Sequence, residues 1–361
     1  MKQNTLFAKA TLAVALAIFS STAAMGQSTS ASDIDWLKDV ADRIQLHGYA
    51  QGGYNYTHKD GADANTFEIK RVLFWAKAPI TDRWSFLFMH DFSSVVQEFY
   101  TDFRVTNNKA LTIRVGQFKN GLSLENPLSP TAMEAIDVYS EGVTFLAGCG
   151  SDPLFGVQYG RDLGLSLFGE TNNGKLRYEL QVMNGQGINK KDGNPEKDFI
   201  GRLEYSPANG LFLVATGQIG RGHNILAKGS SSVYNPDIKE GQNYKRNRWT
   251  AGFDYKSKAF KAHGEYLEGY DGDVVSRGAY LTGAVPLGTP KVEFVGSYDF
   301  FNYNTSLGYD QHKAIAGLQY WFFKKCRVQL QYVYKSAYVA GNKFVHGANH
   351  AVMCQMQVRF N

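Results

Sequence analysis

Ala351-Val352-Met353-Cys354-Gln355-Met356-Gln357-Val358-Arg359-Phe360-Asn361 reads as a strand with two unlike faces. Side chains alternate along extended backbone. Val352, Cys354, Met356, Val358 and Phe360 therefore share one face, and Met353, Gln355, Gln357 and Arg359 share the other. The preceding segment repeats the pattern, with Val328, Leu330, Tyr332 and Tyr334 against Arg327, Gln329 and Gln331. Farther back, Trp249, Ala251, Phe253 and Tyr255 oppose Arg248, Thr250, Gly252 and Asp254. Leu176, Tyr178, Leu180 and Val182 oppose Arg177, Glu179 and Gln181. Alternation of this kind runs from about residue 44 to residue 360. A soluble sheet packed on a core alternates in the same way, so other features must choose between the two.

The connections make that choice. About sixteen strands are expected, and short turns follow the even-numbered ones. Polar loops are expected at 58–65, 184–197, 221–247, 269–276, 302–311 and 335–350, and a much longer connection at 119–153. A closed barrel with one rim in a confined compartment and the other facing outward has this rhythm. Charges at the lipid midplane cost about 2–4 kcal/mol each, so the charged parity must face inward. The expected fold is all-β: a closed antiparallel transmembrane barrel over 44–361, wide enough at sixteen strands for an aqueous channel.

Composition agrees. Aromatic residues make up 14% and charged residues only 20%, with 37 Gly and 9 Pro. That mixture suits strands and tight turns. Lys2 and Lys9, the apolar stretch 11–19 and Ala24-Met25-Gly26 read as a secretory signal over 1–26. A short periplasmic lead-in, 27–43, is expected to follow, with Ser32 or Asp33 as a candidate helix cap. No later segment reaches the roughly 18 apolar residues a membrane helix needs. Net charge is +5, two units of it in the leader, too mild for a nucleic-acid partner. Three cysteines, Cys149, Cys326 and Cys354, are an odd number for an exported chain, and no structural disulfide is expected. The implied location is the outer membrane of a Gram-negative bacterium, with outer-membrane lipid as a partner.

Parity places Arg71 and Lys77 together on the second strand, opposite Val72, Phe74 and Ala76. It groups Glu98, Tyr100, Asp102 and Arg104 on the fourth strand, and Thr112, Arg114 and Gly116 on the fifth. Fixed charges beside a long loop are how a pore sets ion preference. They are equally read as solvated lining with no selective role.

The stretch Leu111-Thr-Ile-Arg-Val-Gly-Gln-Phe-Lys119, continuing to Glu125, resembles the phosphate-selective porin O and P family. Gln97-Glu-Phe-Tyr-Thr-Asp-Phe-Arg104 is similar to the family's preceding strand, Phe67-Glu-Ile-Lys-Arg-Val-Leu73 to its second, and Trp84-Ser-Phe-Leu-Phe-Met-His-Asp-Phe92 to its third. The resemblance implies a homotrimeric sixteen-stranded channel whose third external loop folds into the barrel and narrows it. It also implies anion selectivity from basic lining, for which Arg71, Arg114 and Lys119 occupy matching positions. Phe360 matches the end signal read by the barrel-assembly machinery, although Asn361 follows it. Residues 120–160 hold no Lys or Arg but do hold Glu125, Glu134, Asp137, Glu141 and Asp152. An acidic loop facing a basic wall would set a field across the lumen, as in general porins.

The expected function is a passive channel for small hydrophilic solutes, with mild preference for anions. Its pore-lining cations would be Arg71, Lys77, Arg104, Arg114 and Lys119, and its constriction acids Glu125, Glu134, Asp137 and Glu141. Two other classes compete. One is a barrel-borne hydrolase, but the histidines are scattered and neither GxSxG nor HExxH occurs. The other is an adhesion barrel acting through its external loops. No cofactor, metal or catalytic group is expected.

Overall fold

The computed structural model describes residues 43–360; the leader, the lead-in through residue 42 and Asn361 lie outside them. Sixteen strands close into one antiparallel barrel: β1 Gln45–Lys59, β2 Ala62–Pro79, β3 Trp84–Asp91, β4 Val96–Arg104, β5 Thr112–Lys119, β6 Arg161–Glu170, β7 Leu176–Met183, β8 Asp198–Ala208, β9 Leu211–His223, β10 Asn243–Lys256, β11 Lys261–Asp271, β12 Val274–Pro286, β13 Val292–Asn302, β14 Asp310–Phe323, β15 Cys326–Ala340 and β16 Lys343–Phe360. The terminal strands seal the ring, with Tyr49 opposite Arg359 and Lys59 opposite Asn349. No helix among the described residues is long and apolar enough to cross a membrane.

Alternation explains the two faces. On β15, Arg327, Gln329 and Gln331 are buried, while Val328, Leu330 and Tyr332 are exposed. On β10, Arg248 and Thr250 are buried, while Trp249 is exposed. An exposed apolar face and a buried polar one reverse the order of a soluble core, as a barrel in lipid requires. Cys326 is buried and Cys354 exposed, and all three cysteines are free thiols.

The connections correct the sequence reading. Expected loops at 58–65, 269–276 and 335–350 are hairpin tips, because the flanking strands extend to residues 59 and 62, 271 and 274, and 340 and 343. Polar residues there keep pairing past the apolar band; their polarity reflects water contact, not loss of strand. Asp60 and Gly61 at φ 56° and 71° make one turn, and Gly272 and Gly341 at 63° and 57° serve the others. Long connections remain at 184–197, 224–242 and, above all, 120–160. The last is longer than expected because the wall resumes only at Arg161. Leu154 and Phe155, expected in a strand, pack instead against Ile238 and Tyr244.

One irregularity matters for charge. Opposite β1, the register of β2 steps from Arg71 against Gln51 to Ile69 against Gly52, leaving Lys70 as an extra residue. A bulge of this kind re-aims a side chain. Ile69 is exposed on the outer face, whereas the Lys70 side chain is largely covered.

Candidate functional site: the 120–160 segment and the charged wall

The long segment starts by tying itself down. The Lys119 ammonium donates to the carbonyls of Asn126 (2.7 Å) and Leu128 (2.6 Å). Asn126 donates to Asn120 and to the Gly160 carbonyl, which closes the segment's base. A short helix, α1 (Glu141–Leu146), is capped by Ser140, whose hydroxyl accepts from the Val143 amide at 3.2 Å. Val143, Phe145 and Leu146 bury against Leu267, Tyr280, Phe301 and Tyr303 of β11–β13 and the loop beyond.

The segment meets the buried face of most of the wall. Gln181 of β7 accepts from the Gly121 amide at 2.7 Å. Arg202 of β8 donates to the carbonyls of Gly121 and Ser123. Glu265 of β11 accepts from the Ser123 hydroxyl and the Leu124 amide, both at 2.8 Å. On β15, Arg327 donates to the Met133 carbonyl, and Gln329 and Gln331 donate to the Glu134 carbonyl at 2.9 and 2.7 Å. Gln331 also accepts from the Ile136 amide at 2.8 Å. Arg359 of β16 reaches the Thr131 hydroxyl at 2.6 Å.

Each acidic residue expected at the constriction has a basic partner. Glu125 and Glu134 flank His263, at 3.2 Å from Nε2 and 3.7 Å from Nδ1 respectively. Asp137 lies 3.9 Å from Lys70. Glu141 sits between Lys313 (3.1 Å) and Lys335 (2.8 Å) and accepts from the Tyr303 hydroxyl. Burial would raise the Glu141 carboxyl, but Lys335 and Lys313 outweigh it and hold it well below the usual carboxylate range. Asp137 is held low in the same way by Lys313, Lys335 and Lys70 against its own burial.

The basic residues expected at the pore divide into two groups. Arg114 forms a bidentate pair with Asp102 at 2.7 and 2.8 Å and stacks 3.8 Å over the Tyr100 ring. Lys119 is spent on the segment's carbonyls. Arg71 is bonded to the neutral Gln51 amide oxygen at 3.1 Å. Among the described residues, Arg71, Lys77 and Arg104 have no carboxylate within 4.0 Å. Lys77 and Arg104 line a cavity of about 540 Å³ at the short-turn end, beside β3 and β6–β8.

Sequence reasoning missed Lys70, Lys313 and Lys335. The parity rule hides Lys70, because only the bulge brings it beside Arg71. Lys313 carried the signal: it falls on the inward parity of its strand with Ile315 and Gln319. The pairing of the loop acids with β11, β14 and β15, rather than with β2–β5, had no signal in sequence order.

The profile of the phosphate-selective porin O and P family matches residues 44–225, half of the chain. The chain belongs to this family. Solved porins share its fold. An anion-selective porin from Comamonas acidovorans is 14% identical with a TM-score of 0.62, covering 88% of this chain and 99% of that one. Salmonella typhi OmpF, solved with daunomycin, is 12% identical with a TM-score of 0.62, covering 88% and 97%. Vibrio cholerae OmpT in its trimer form is 12% identical with a TM-score of 0.56, covering 87% and 99%. No curated protein sequence matches. The family membership extends beyond the first five strands, where the motif resemblance was specific, through β9.

Proposed function

We propose that this porin-family chain is a water-filled outer-membrane channel for passive diffusion of small hydrophilic solutes, with preference for anions. One observation carries the preference. The loop carboxylates Glu125, Glu134, Asp137 and Glu141 are each met by a basic side chain, while Arg71, Lys77 and Arg104 have no carboxylate to offset them among the described residues. These three cations stand clear of the loop's carboxylates, and fixed charge beside a constriction sets ion preference, so we read them as the source of the anion preference. The contacts of 120–160 around the wall support a segment folded into the lumen that narrows the path. We also propose removal of residues 1–26, entry through the barrel-assembly machinery by the C-terminal strand, and a homotrimer. The Comamonas acidovorans relative, described as anion-selective, supports the same reading.

Reversal potential in a salt gradient tests it. Replacing Arg71, Lys77 and Arg104 together by Gln lowers the anion/cation permeability ratio. Replacing Glu134, Asp137 and Glu141 by their amides frees Lys70, Lys313 and Lys335 and raises it. An unmoved reversal potential in both sets overturns the assignment. Phosphate added as a competitor for chloride current then measures whether phosphate is held more tightly than other anions.

A further inference from the structure

The outer wall carries a dent that the channel does not use. Gly201 of β8 and Gly217 of β9 are cross-strand partners on the lipid-facing parity. A Cβ built on Gly201 would meet only the Leu180 side chain at 3.9 Å, and one on Gly217 only the Arg248 carbonyl at 3.9 Å. The space above both is open. Leu180 and Trp249 stand beside the pair in the same rung of the ladder. Phe199 and Ile219 stand one rung closer to the long-connection end. All four of these side chains are exposed. Together they frame a groove of about 920 Å³.

The groove has a charged rim. Lys245 lines it and is the cross-strand partner of Arg221, one rung beyond Ile219 and next to the 224–242 connection. Lys245 has no carboxylate within 4.0 Å among the described residues. Arg221 is 3.5 Å from Glu196, with both side chains partly in solvent, a pairing worth little. Glu268, the cross-strand partner of Trp249, already accepts from the hydroxyls of Tyr266 and Tyr270.

We propose that this groove binds a phosphorylated glycolipid of the outer leaflet, its acyl chains over Gly201 and Gly217 and its phosphate on Lys245 and Arg221. An apolar trough capped by two cations is complementary to an anionic amphiphile. A flat contact with another copy of the chain suits the opposite wall better, where Phe74, Phe88, Phe92, Phe99 and Phe103 are exposed on β2–β4 and the turn after β3. The proposal rests on the outer-membrane reading, with the long connections facing outward.

The test uses the whole protein, stripped of lipid in detergent and titrated with bis-phosphorylated lipid A, its dephosphorylated form and inorganic phosphate. Native mass spectrometry reads occupancy. The phosphorylated lipid binds in preference. Arg221→Ala and Lys245→Ala each weaken binding about fivefold, following ~1 kcal/mol per cation near the membrane surface. Gly201→Leu with Gly217→Leu fills the trough and abolishes it, with single-channel conductance unchanged in every variant. Equal binding of the dephosphorylated lipid, full competition by inorganic phosphate, or unaltered binding by the two cation variants overturns the site. Loss of oligomer in the glycine variants with lipid binding intact assigns the groove to a second copy instead. Failure of the channel reading appears separately, as absence of current in the unmodified protein.

Discussion

Two stretches of the same wall treat the lumen differently. On β14–β16 the inward positions are largely amides: Gln319, Gln329, Gln331, Gln355 and Gln357 are all buried. They bond to one another and to carbonyls of 131–134, as in Gln355 to Gln329 at 3.0 Å and Gln357 to the Thr131 carbonyl at 3.3 Å. On β2–β8 the inward positions are charged, with Lys77, Asp102, Arg104, Glu179, Arg202 and Glu204 around an open cavity. An amide satisfies a buried main-chain group without adding net field. Burying a charge costs more than burying an amide. The wall that holds 131–136 thus does so mainly through neutral amides, and the wall around the open cavity carries charges of both signs. Arg327, buried among the amides at 1% exposure, is a cation on these strands, as are Lys313, Lys335 and Arg359, and the one that tests this division.

Arg327→Met gives the largest effect. The guanidinium serves the Met133 carbonyl and Gln319 and lies 4.9 Å over the Trp321 ring. Removing it leaves the Met133 carbonyl dry, at about 1–3 kcal/mol, and Gln319 with only the long bond from Gln329 at 3.4 Å. The expected outcome is a loosened 131–136 segment, seen as faster proteolysis there and noisier, larger single-channel currents. Unchanged currents would mean that the amides alone suffice to hold the loop.

Gln329→Leu with Gln331→Leu comes next. Neutral hydrogen bonds contribute about 0.5–1.5 kcal/mol apiece, with a further penalty for the Glu134 carbonyl left unpaired. Gating noise should rise while the anion/cation ratio stays fixed, because no charge changes. A shift in reversal potential would break the separation between a holding wall and a selecting wall. The Arg71, Lys77 and Arg104 triple variant is the mirror experiment: the ratio falls, noise stays constant, and the effect shrinks as salt screens the wall.

Much of this division was legible in the sequence. Strand parity assigns Gln329 and Gln331 inward and Leu330 outward without a structure, because the period of two leaves no third choice. The closing strand was readable for the same reason. Loop lengths were not. Lys343 and His346 are polar because they stand in water, and polarity alone cannot separate a strand tip from a loop; Asp60-Gly61 was the overlooked hairpin signal. The loop's acids were visible, but their partners were not. Glu141 is separated by more than 170 positions from Lys313 and by more still from Lys335, and only closure of the ring brings them together. Lys70 needed the bulge, an insertion that no alternation rule contains.

Glu141 joins the two behaviours and gives the smallest predicted effect. Its carboxylate fastens the loop through Lys313 and Lys335 while cancelling their charge. Glu141→Gln therefore frees two cations and moves the reversal potential modestly toward anions at neutral pH. The pH dependence follows from the sign of the shift. The folded-state value lies below the ordinary 4.5, so the pairing contributes fully above 4.5 and is lost only as pH falls through that lower value. The difference between wild type and Glu141→Gln should thus persist through mildly acidic solution and vanish only below the ordinary carboxyl range. If the two proteins converge above 4.5, Lys313 and Lys335 do not hold the carboxylate in its charged form. The grip on 141–146 would then rest on the Glu141 amide's bond to Asp299 and on the packing of Val143, Phe145 and Leu146 against β11–β13.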